Sequence, residues 1–411
     1  MNAFLDSIFG DAKGAFRRQA LIVLLASLAT RLLLLPRMLR WNLIGDELWY
    51  WAWATGERPA GFYYLQHPRF WALVLRLAAA ISHAAWSGRI LTCLIASISP
   101  VAVYALASRL WDRRTAFLAG LLLAFSPEHM GYSLWLWKEG FAGVLYTAAA
   151  SFFFRGRGVT ENKRDVIWAF LLTGIALLAD EKAVVVLLAF VVALFQYGGR
   201  RRWTFLLVGL AALALPMAVC STITSIQARR FVLVSDSVSA HMQISSDDKE
   251  FPKAEGRVAT LRREWKMFRA QSGLIATPNS VVVAGLFNPH CMLFAPFEHG
   301  APIGWICVAY AACLFLLAFV AMVVDGPSAF RLFSVTIWTL LAFSSAVMIF
   351  KTRFRVPFLF ILAAYGARLL RLPPEGGALL TERRMALAVG LTSAAYAAYV
   401  VSSAGLIGNW N

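Results

Sequence analysis

The sequence predicts an all-α, polytopic membrane protein, and three observations carry that reading. Of its 411 residues, 60% are hydrophobic and only 15% charged, against about a quarter charged in an ordinary soluble domain. The apolar residues fall in long blocks, at 21–35, 205–219, 303–323 and 386–401, which reach or approach the ~20 residues needed to cross the hydrocarbon. Short basic clusters separate the blocks, as they do in loops on the cytoplasmic side of a membrane. A cleaved secretory signal would account for the first block alone.

The basic clusters also set the threading. Lys13, Arg17 and Arg18 precede a first span at 20–36 and place the N-terminus inside. A first outer loop, about 37–88, follows and is rich in Trp and Tyr. Its apolar piece 70–85 is short and carries Arg76 and His83, so it reads as an interfacial helix and not as a span. Spans at 89–108, 115–132, 139–154, 166–179, 183–197 and 204–220 then alternate so that Arg109, Arg113, Arg114, Arg155, Arg157, Lys163, Arg164 and 200–202 all lie inside. Had 70–85 crossed, these clusters would face the wrong side. A large outer loop, about 221–300, contains further interfacial elements, and spans at 303–323, 332–350, 357–371 and 386–405 complete one domain, 1–411, of about eleven spans. No internal repeat of the kind common in transporters is visible.

Lys and Arg outnumber Asp and Glu by 39 to 22. The excess sits in the inner clusters, so it marks topology and the lipid bilayer as partner, not nucleic acid. The 15 Trp suit aromatic belts at the two interfaces. Cys93, Cys307 and Cys313 lie in apolar stretches and are expected in packed interiors, while Cys220 and Cys291 can both reach the outer side. His241, His290, His299, Asp247, Asp248 and Glu298 in the large outer loop fit no metal-ligand spacing, so no metal site is assigned, although such donors would suffice for a divalent cation.

Four charged clusters share the outer face under this threading. Asp46-Glu47 follows the first span and leads into Leu48-Trp49-Tyr50-Trp51. Carboxylates beside an interfacial aromatic segment are costly near lipid, so they either solvate a loop or form a site. Lys138-Glu139 opens a span after Trp135-Leu136-Trp137, where it reads as an anchor or as part of the same site. Asp180-Glu181-Lys182 occupies a tight turn between two apolar helices. Lys351-Thr352-Arg353-Phe354-Arg355-Val356-Pro357 breaks the positive-inside trend with three cations outside, which serve either as headgroup anchors or as ligands of a lipid phosphate. Carboxylates facing phosphate-binding cations suit group transfer from a lipid phosphate. A carboxylate takes the proton of an acceptor hydroxyl, and fixed cations stabilise the departing phosphate.

These motifs, in this order, resemble the GT-C membrane glycosyltransferases, in the branch of the protein O-mannosyltransferases and the lipid A aminoarabinose transferase. The likeness rests on Asp46-Glu47-x-x-Tyr50, on Tyr63-Tyr64-Leu65-Gln66-His67-Pro68, and on Arg89 opening the next span. It extends through Arg109-Leu110-Trp111 and Lys182 to Arg353-Phe354-Arg355-Val356-Pro357 with Ala363-Ala364-Tyr365-Gly366. The resemblance implies an inverting transfer of a sugar from a polyprenyl-phosphate donor to an envelope acceptor at the outer face of a bacterial inner membrane. Asp46 would be the base and Glu47 a positioning group, with Glu139 where relatives often carry Asp. Arg353, Arg355, Lys351, Lys182 and Lys138 would bind the donor phosphate. Tyr50, Tyr64, His67 and Arg69 would contact substrate, Arg69 standing where many relatives have a second Pro. A lipid-linked sugar flippase and an O-antigen ligase or polymerase are the rival readings. Apart from Arg31 in the first block, mid-span charges are scarce, which speaks against a translocation path.

Overall fold

The computed structural model describes residues 12–39, 43, 46–57, 70–228, 302–325, 328–347 and 356–370. Eight helices open the order: α1 (Ala12–Met38), α2 (Asp46–Thr55), α3 (Phe70–Ala79), α4 (Ala85–Ala96), α5 (Ser99–Leu110), α6 (Arg113–Ala124), α7 (Pro127–Tyr132) and α8 (Glu139–Phe153). A two-stranded antiparallel hairpin follows, β1 (Phe154–Arg155) and β2 (Gly158–Val159). Then come α9 (Lys163–Leu177), α10 (Ala183–Tyr197), α11 (Arg202–Ala228), α12 (Pro302–Val324), α13 (Ala329–Val347) and α14 (Leu359–Leu370). The all-α, membrane-type architecture expected from the sequence is what the chain adopts.

Among the described residues, three helical runs are long and apolar enough by themselves to cross a bilayer: Phe16–Pro36, Ala85–Leu110 and Gly199–Thr222. Most expected spans overlap one helix each, but two are interrupted, both by proline. The expected span 89–108 breaks at Ser97–Ile98. Pro100 has no N–H to offer the carbonyl of Ala96, where α4 stops, and its ring crowds that carbonyl. The expected span 115–132 ends at Ala124, and α7 restarts with Pro127 in its first turn and Ser126 as cap, the Ser126 hydroxyl accepting from the His129 N–H. The expected span 386–405 lies outside the described residues.

α3 has ten residues, about 15 Å of rise against a hydrocarbon core of ~30 Å. Trp71, Leu75, Ala78 and Ala79 pack inward while Leu73, Leu77 and the following Ile81 are exposed.

α14 is the central element, buried on every side from Leu359 to Ala367. Phe153, Phe190 and Phe333 stack in an aromatic core between α8, α10 and α13, with Phe154 set edge-on to Phe333. α9 and α11 approach closely because a Cβ on Gly174 would lie 2.8 Å from the Leu213 carbonyl oxygen. Cys93 is buried as expected, but Cys313 is exposed. α12 is apolar on all sides, so its sequence offers no periodicity to tell an inward from an outward face.

The α4–α5 run defines two ends of the bundle. Arg89 sits near its start and Trp111 just past its finish, on the order of 30 Å apart.

Candidate active site

The Arg89 end gathers three of the four charged clusters that the sequence scatters, the fourth lying outside the described residues. α2 begins at Asp46, with Asp46 and Glu47 in its first turn, where carboxylates complement the helix dipole. Asp46 is partly exposed and Glu47 fully buried. Arg89 reaches Glu47 Oε2 at 3.3 Å with its Nη2, and its Nη1 donates to the carbonyl of Met38 at the close of α1. Glu47 Oε1 accepts the Leu136 N–H at 2.8 Å. The Leu136 carbonyl in turn accepts from Trp71 Nε1 at 2.8 Å. Four helices and one loop are thus tied at a single point, the loop being 133–138. The Arg89 guanidinium also lies 5.7 Å from the ring of Trp135, which stacks on Trp137.

A second cluster lies beside the first. Asp180, fully buried, takes Lys138 Nζ at 3.4 Å and Lys182 Nζ at 3.2 Å on one oxygen. Its other oxygen accepts from the Tyr146 hydroxyl at 3.1 Å. Lys138 also pairs with Glu181 at 2.9 Å, and Lys182 with Glu139 at 3.7 Å. Burial is the largest single influence on Lys138 and opposes its charge. The attraction of Glu181, Asp180 and Glu139 together outweighs it, holding the ammonium well above the ordinary lysine range. Tyr50 joins the two clusters. Its hydroxyl is raised far above the usual range, first by burial and then by the negative charge of Glu139, Asp46 and Glu181, with Lys138 acting the other way. Tyr50 therefore lies within electrostatic reach of both the Asp46 end of α2 and the 138–182 network.

Of the residues singled out from sequence, Asp46, Glu47, Tyr50, Lys138, Glu139 and Lys182 fall at this one end. Lys138 and Lys182, expected to bind phosphate, both engage carboxylates. Tyr64, His67, Arg69, Lys351, Arg353 and Arg355 lie outside the described residues. The residue that follows the 351–355 motif does not. Val356 opens a helical turn in which Pro357 packs on Gly143 and Phe358 stacks on Tyr146, ring centroids 5.3 Å apart. Tyr146 is the group that holds Asp180.

Three residues escaped the sequence reading. Asp180 read as an ordinary turn charge, although a carboxylate between two apolar helices that also has lysine on both sides in space has every reason to be buried. Tyr146 carried no signal, being one aromatic in an apolar helix. His129 is buried against the other unexpected cation site: Arg31, fully buried, hydrogen-bonds the Ser27 carbonyl at 2.7 Å, the Ser27 hydroxyl at 2.8 Å, and His129 Nδ1. Among the described residues no group of three His, Cys, Asp or Glu gathers to hold a metal ion.

Comparison with known proteins bears on the fold. Residues 66–225 match the family model of the dolichyl-phosphate-mannose-protein mannosyltransferases. Comparison with curated proteins gives no match. Among solved structures, the oligosaccharyltransferase AglB of Archaeoglobus fulgidus, in complex with an inhibitory peptide and a dolichol-phosphate, superposes with a TM-score of 0.52 at 15% identity. That match covers 95% of this chain and 55% of AglB. ArnT of Cupriavidus metallidurans gives 0.53 at 15% identity in the apo state, covering 92% of this chain and 62% of ArnT. Bound to undecaprenyl phosphate, ArnT gives 0.50 at 17% identity, with 92% and 63% covered. The chain thus spans a little over half of the length of these structures. With its helical bundle superposing on these membrane proteins over most of its length, this chain is a polytopic membrane protein of the GT-C fold.

Proposed function

We propose that the chain is an inverting glycosyltransferase that moves a sugar from a polyprenyl-phosphate donor to a hydroxyl of an envelope acceptor, at the outer face of a bacterial inner membrane. The observation that carries this reading is the convergence of Asp46 with the Asp180 network, beside the turn that follows the basic 351–355 motif. Four carboxylates, Asp46, Glu139, Asp180 and Glu181, stand there against two lysines. Residues 351–355 precede Val356 in the chain, and Phe358, two residues further on, stacks on Tyr146. Lys351, Arg353 and Arg355 would supply donors suited to phosphate oxygens.

In this reading Asp46 accepts the proton of the acceptor hydroxyl. The hydroxyl oxygen attacks the anomeric carbon, the bond from that carbon to the phosphate oxygen breaks, and polyprenyl phosphate departs with the electron pair. One displacement inverts the anomeric centre. Arg353, Arg355 and Lys351 stabilise the leaving phosphate; Lys138, Lys182 and Glu139 shape its surroundings. Tyr50, Tyr64, His67 and Arg69 line the approach of donor and acceptor. Glu47 and Arg89 fix the start of α2, and with it Asp46.

The test is transfer in membranes supplied with polyprenyl-phosphate sugars. Asp46→Asn is expected to lower the rate by at least ~100-fold, within the usual range for losing a general base, with an unchanged melting temperature. Full activity of Asp46→Asn removes the base assignment. Mass spectrometry of envelope glycolipids and glycoproteins, with and without the chain, identifies the sugar and the acceptor.

A further inference from the structure

The end of the bundle opposite the candidate active site contains a polar cavity of about 330 Å³. Its walls are three connections and one helix end: Leu110 to Asp112, Gly156 and Arg157 of the β-hairpin, Asp325 and Ser328, and Arg368 of α14. Trp111 and Phe330 supply aromatic surface, with Tyr365 packed against both. The walls are fixed to one another by backbone hydrogen bonds. The Gly156 N–H donates to the Arg109 carbonyl at 2.8 Å, and the Ala329 N–H donates to the Arg157 carbonyl at 2.9 Å. Arg331 Nη1 donates to the Asp325 carbonyl at 2.7 Å. Such a cavity is preformed, because its lining does not depend on a ligand to be ordered.

Its chemistry is two-signed. Arg368 lies with its guanidinium 5.9 Å from the centre of the Trp111 ring, and its buried Nε has no hydrogen-bond partner. A buried guanidinium donor without an acceptor is costly and is the kind of group that a phosphate oxygen satisfies. Arg157 stands exposed at the rim. Asp112 and Asp325 line the same space, so a purely anionic ligand meets repulsion there. A group carrying both a phosphate and an ammonium meets neither penalty, and its cation also finds an aromatic face.

We propose that this cavity is a binding site for a phosphoethanolamine-type group, its phosphate held by Arg157 and Arg368 and its ammonium by Asp325 and the Trp111–Phe330 surface. The group is the head of a membrane lipid or a soluble phosphoethanolamine, and the site is independent of the transferase reading.

The experiment is native mass spectrometry of the full-length chain, delipidated in detergent and incubated with phosphatidylethanolamine or phosphatidylglycerol, with soluble phosphoethanolamine as competitor. One phosphatidylethanolamine per chain is expected, retained in preference to phosphatidylglycerol, and reduced on the order of tenfold in Arg157→Gln and in Asp325→Asn. Arg157 is exposed, so its replacement does not threaten the fold. Displacement by phosphoethanolamine, with no preference between the lipids but the same loss in Arg157→Gln, assigns the site to the soluble compound. Retention of phosphatidylglycerol equal to phosphatidylethanolamine without such displacement, or binding of either probe unchanged in Arg157→Gln, overturns the proposal.

Discussion

Arg89 and Glu47 meet at 3.3 Å with 1% and 0% of their side chains exposed, and this pair ties the first turn of α2 to α4. An ion pair so deeply buried gains little net stability over an apolar pair of the same size, but removing one partner strands the other charge. Glu47→Ala is therefore expected to cost about 3–5 kcal/mol, read as a large fall in the melting temperature of the purified protein. Glu47→Gln still accepts the Leu136 N–H and should cost less. The double change Glu47→Leu with Arg89→Met should recover much of the stability while leaving transfer impaired, since the start of α2 loses its anchor. Recovery of activity along with stability would show that the pair has no positioning role.

Asp180 is the shared counter-ion of Lys138 and Lys182 and the acceptor of Tyr146. Asp180→Asn keeps the shape and removes the charge, and should cost roughly 2 kcal/mol as charge-assisted hydrogen bonds become ordinary ones. Tyr146→Phe removes one of these bonds and should cost about 1 kcal/mol. Thermal unfolding of both variants and of the double mutant measures the coupling. Strict additivity would mean that Tyr146 and Asp180 do not act on each other.

Alkaline pH gives a third test. Burial raises the Tyr50 hydroxyl above its ordinary value, and the Lys138 ammonium is also held above its own. Each group keeps its proton longer in the folded chain than in the unfolded one. Their stabilising contributions are complete below the unfolded values of about 10 and decline as pH rises above them. Tyr50→Phe removes one such group, so its unfolding free energy should fall less steeply between roughly pH 9.5 and 11 than that of the parent, by up to ~1.4 kcal/mol per pH unit. Parallel curves would place Tyr50 in a solvated setting.

Much of this was legible in the sequence because lipid imposes simple rules. Apolar length marked the helices, and the short apolar piece 70–85 gave the short helix α3. The sequence also marked Asp46-Glu47, Lys138-Glu139 and Lys182, because charges beside long apolar blocks have few bland explanations. The motif resemblance assigned Asp46 and Glu47 different roles, but the sequence does not show what makes their settings differ. That difference comes from Arg89 and the Leu136 N–H, which lie 42 and 89 residues from Glu47 in the chain. Asp180 was hidden for a related reason: its partners come from α8 and from the loop before it, and turn charges are usually solvated. The breaks at Pro100 and Pro127 were local and readable, but an apolar block with one proline also fits a kinked continuous span.

Gly88 offers a test of this tertiary wiring at a position without polar chemistry. A Cβ there would fall 2.5 Å from the Trp51 ring and 2.9 Å from Leu136 Cδ2, so α4 meets α2 and the 133–138 loop only because the side chain is missing. Trp51 has little room to yield, since it is buried and its Nε1 donates to the His83 carbonyl at 3.1 Å. Gly88→Ala should therefore push α2 away from α4 and lengthen the contact between Arg89 and Glu47. The overpacking is expected to cost about 1–3 kcal/mol. Because Asp46 moves with α2, the same change should lower the turnover number of transfer more than it raises the donor KM. Combining Gly88→Ala with Trp51→Leu removes the clash and should restore part of the lost turnover. Failure of that rescue, with stability recovered, would separate the packing of α2 from the placement of Asp46.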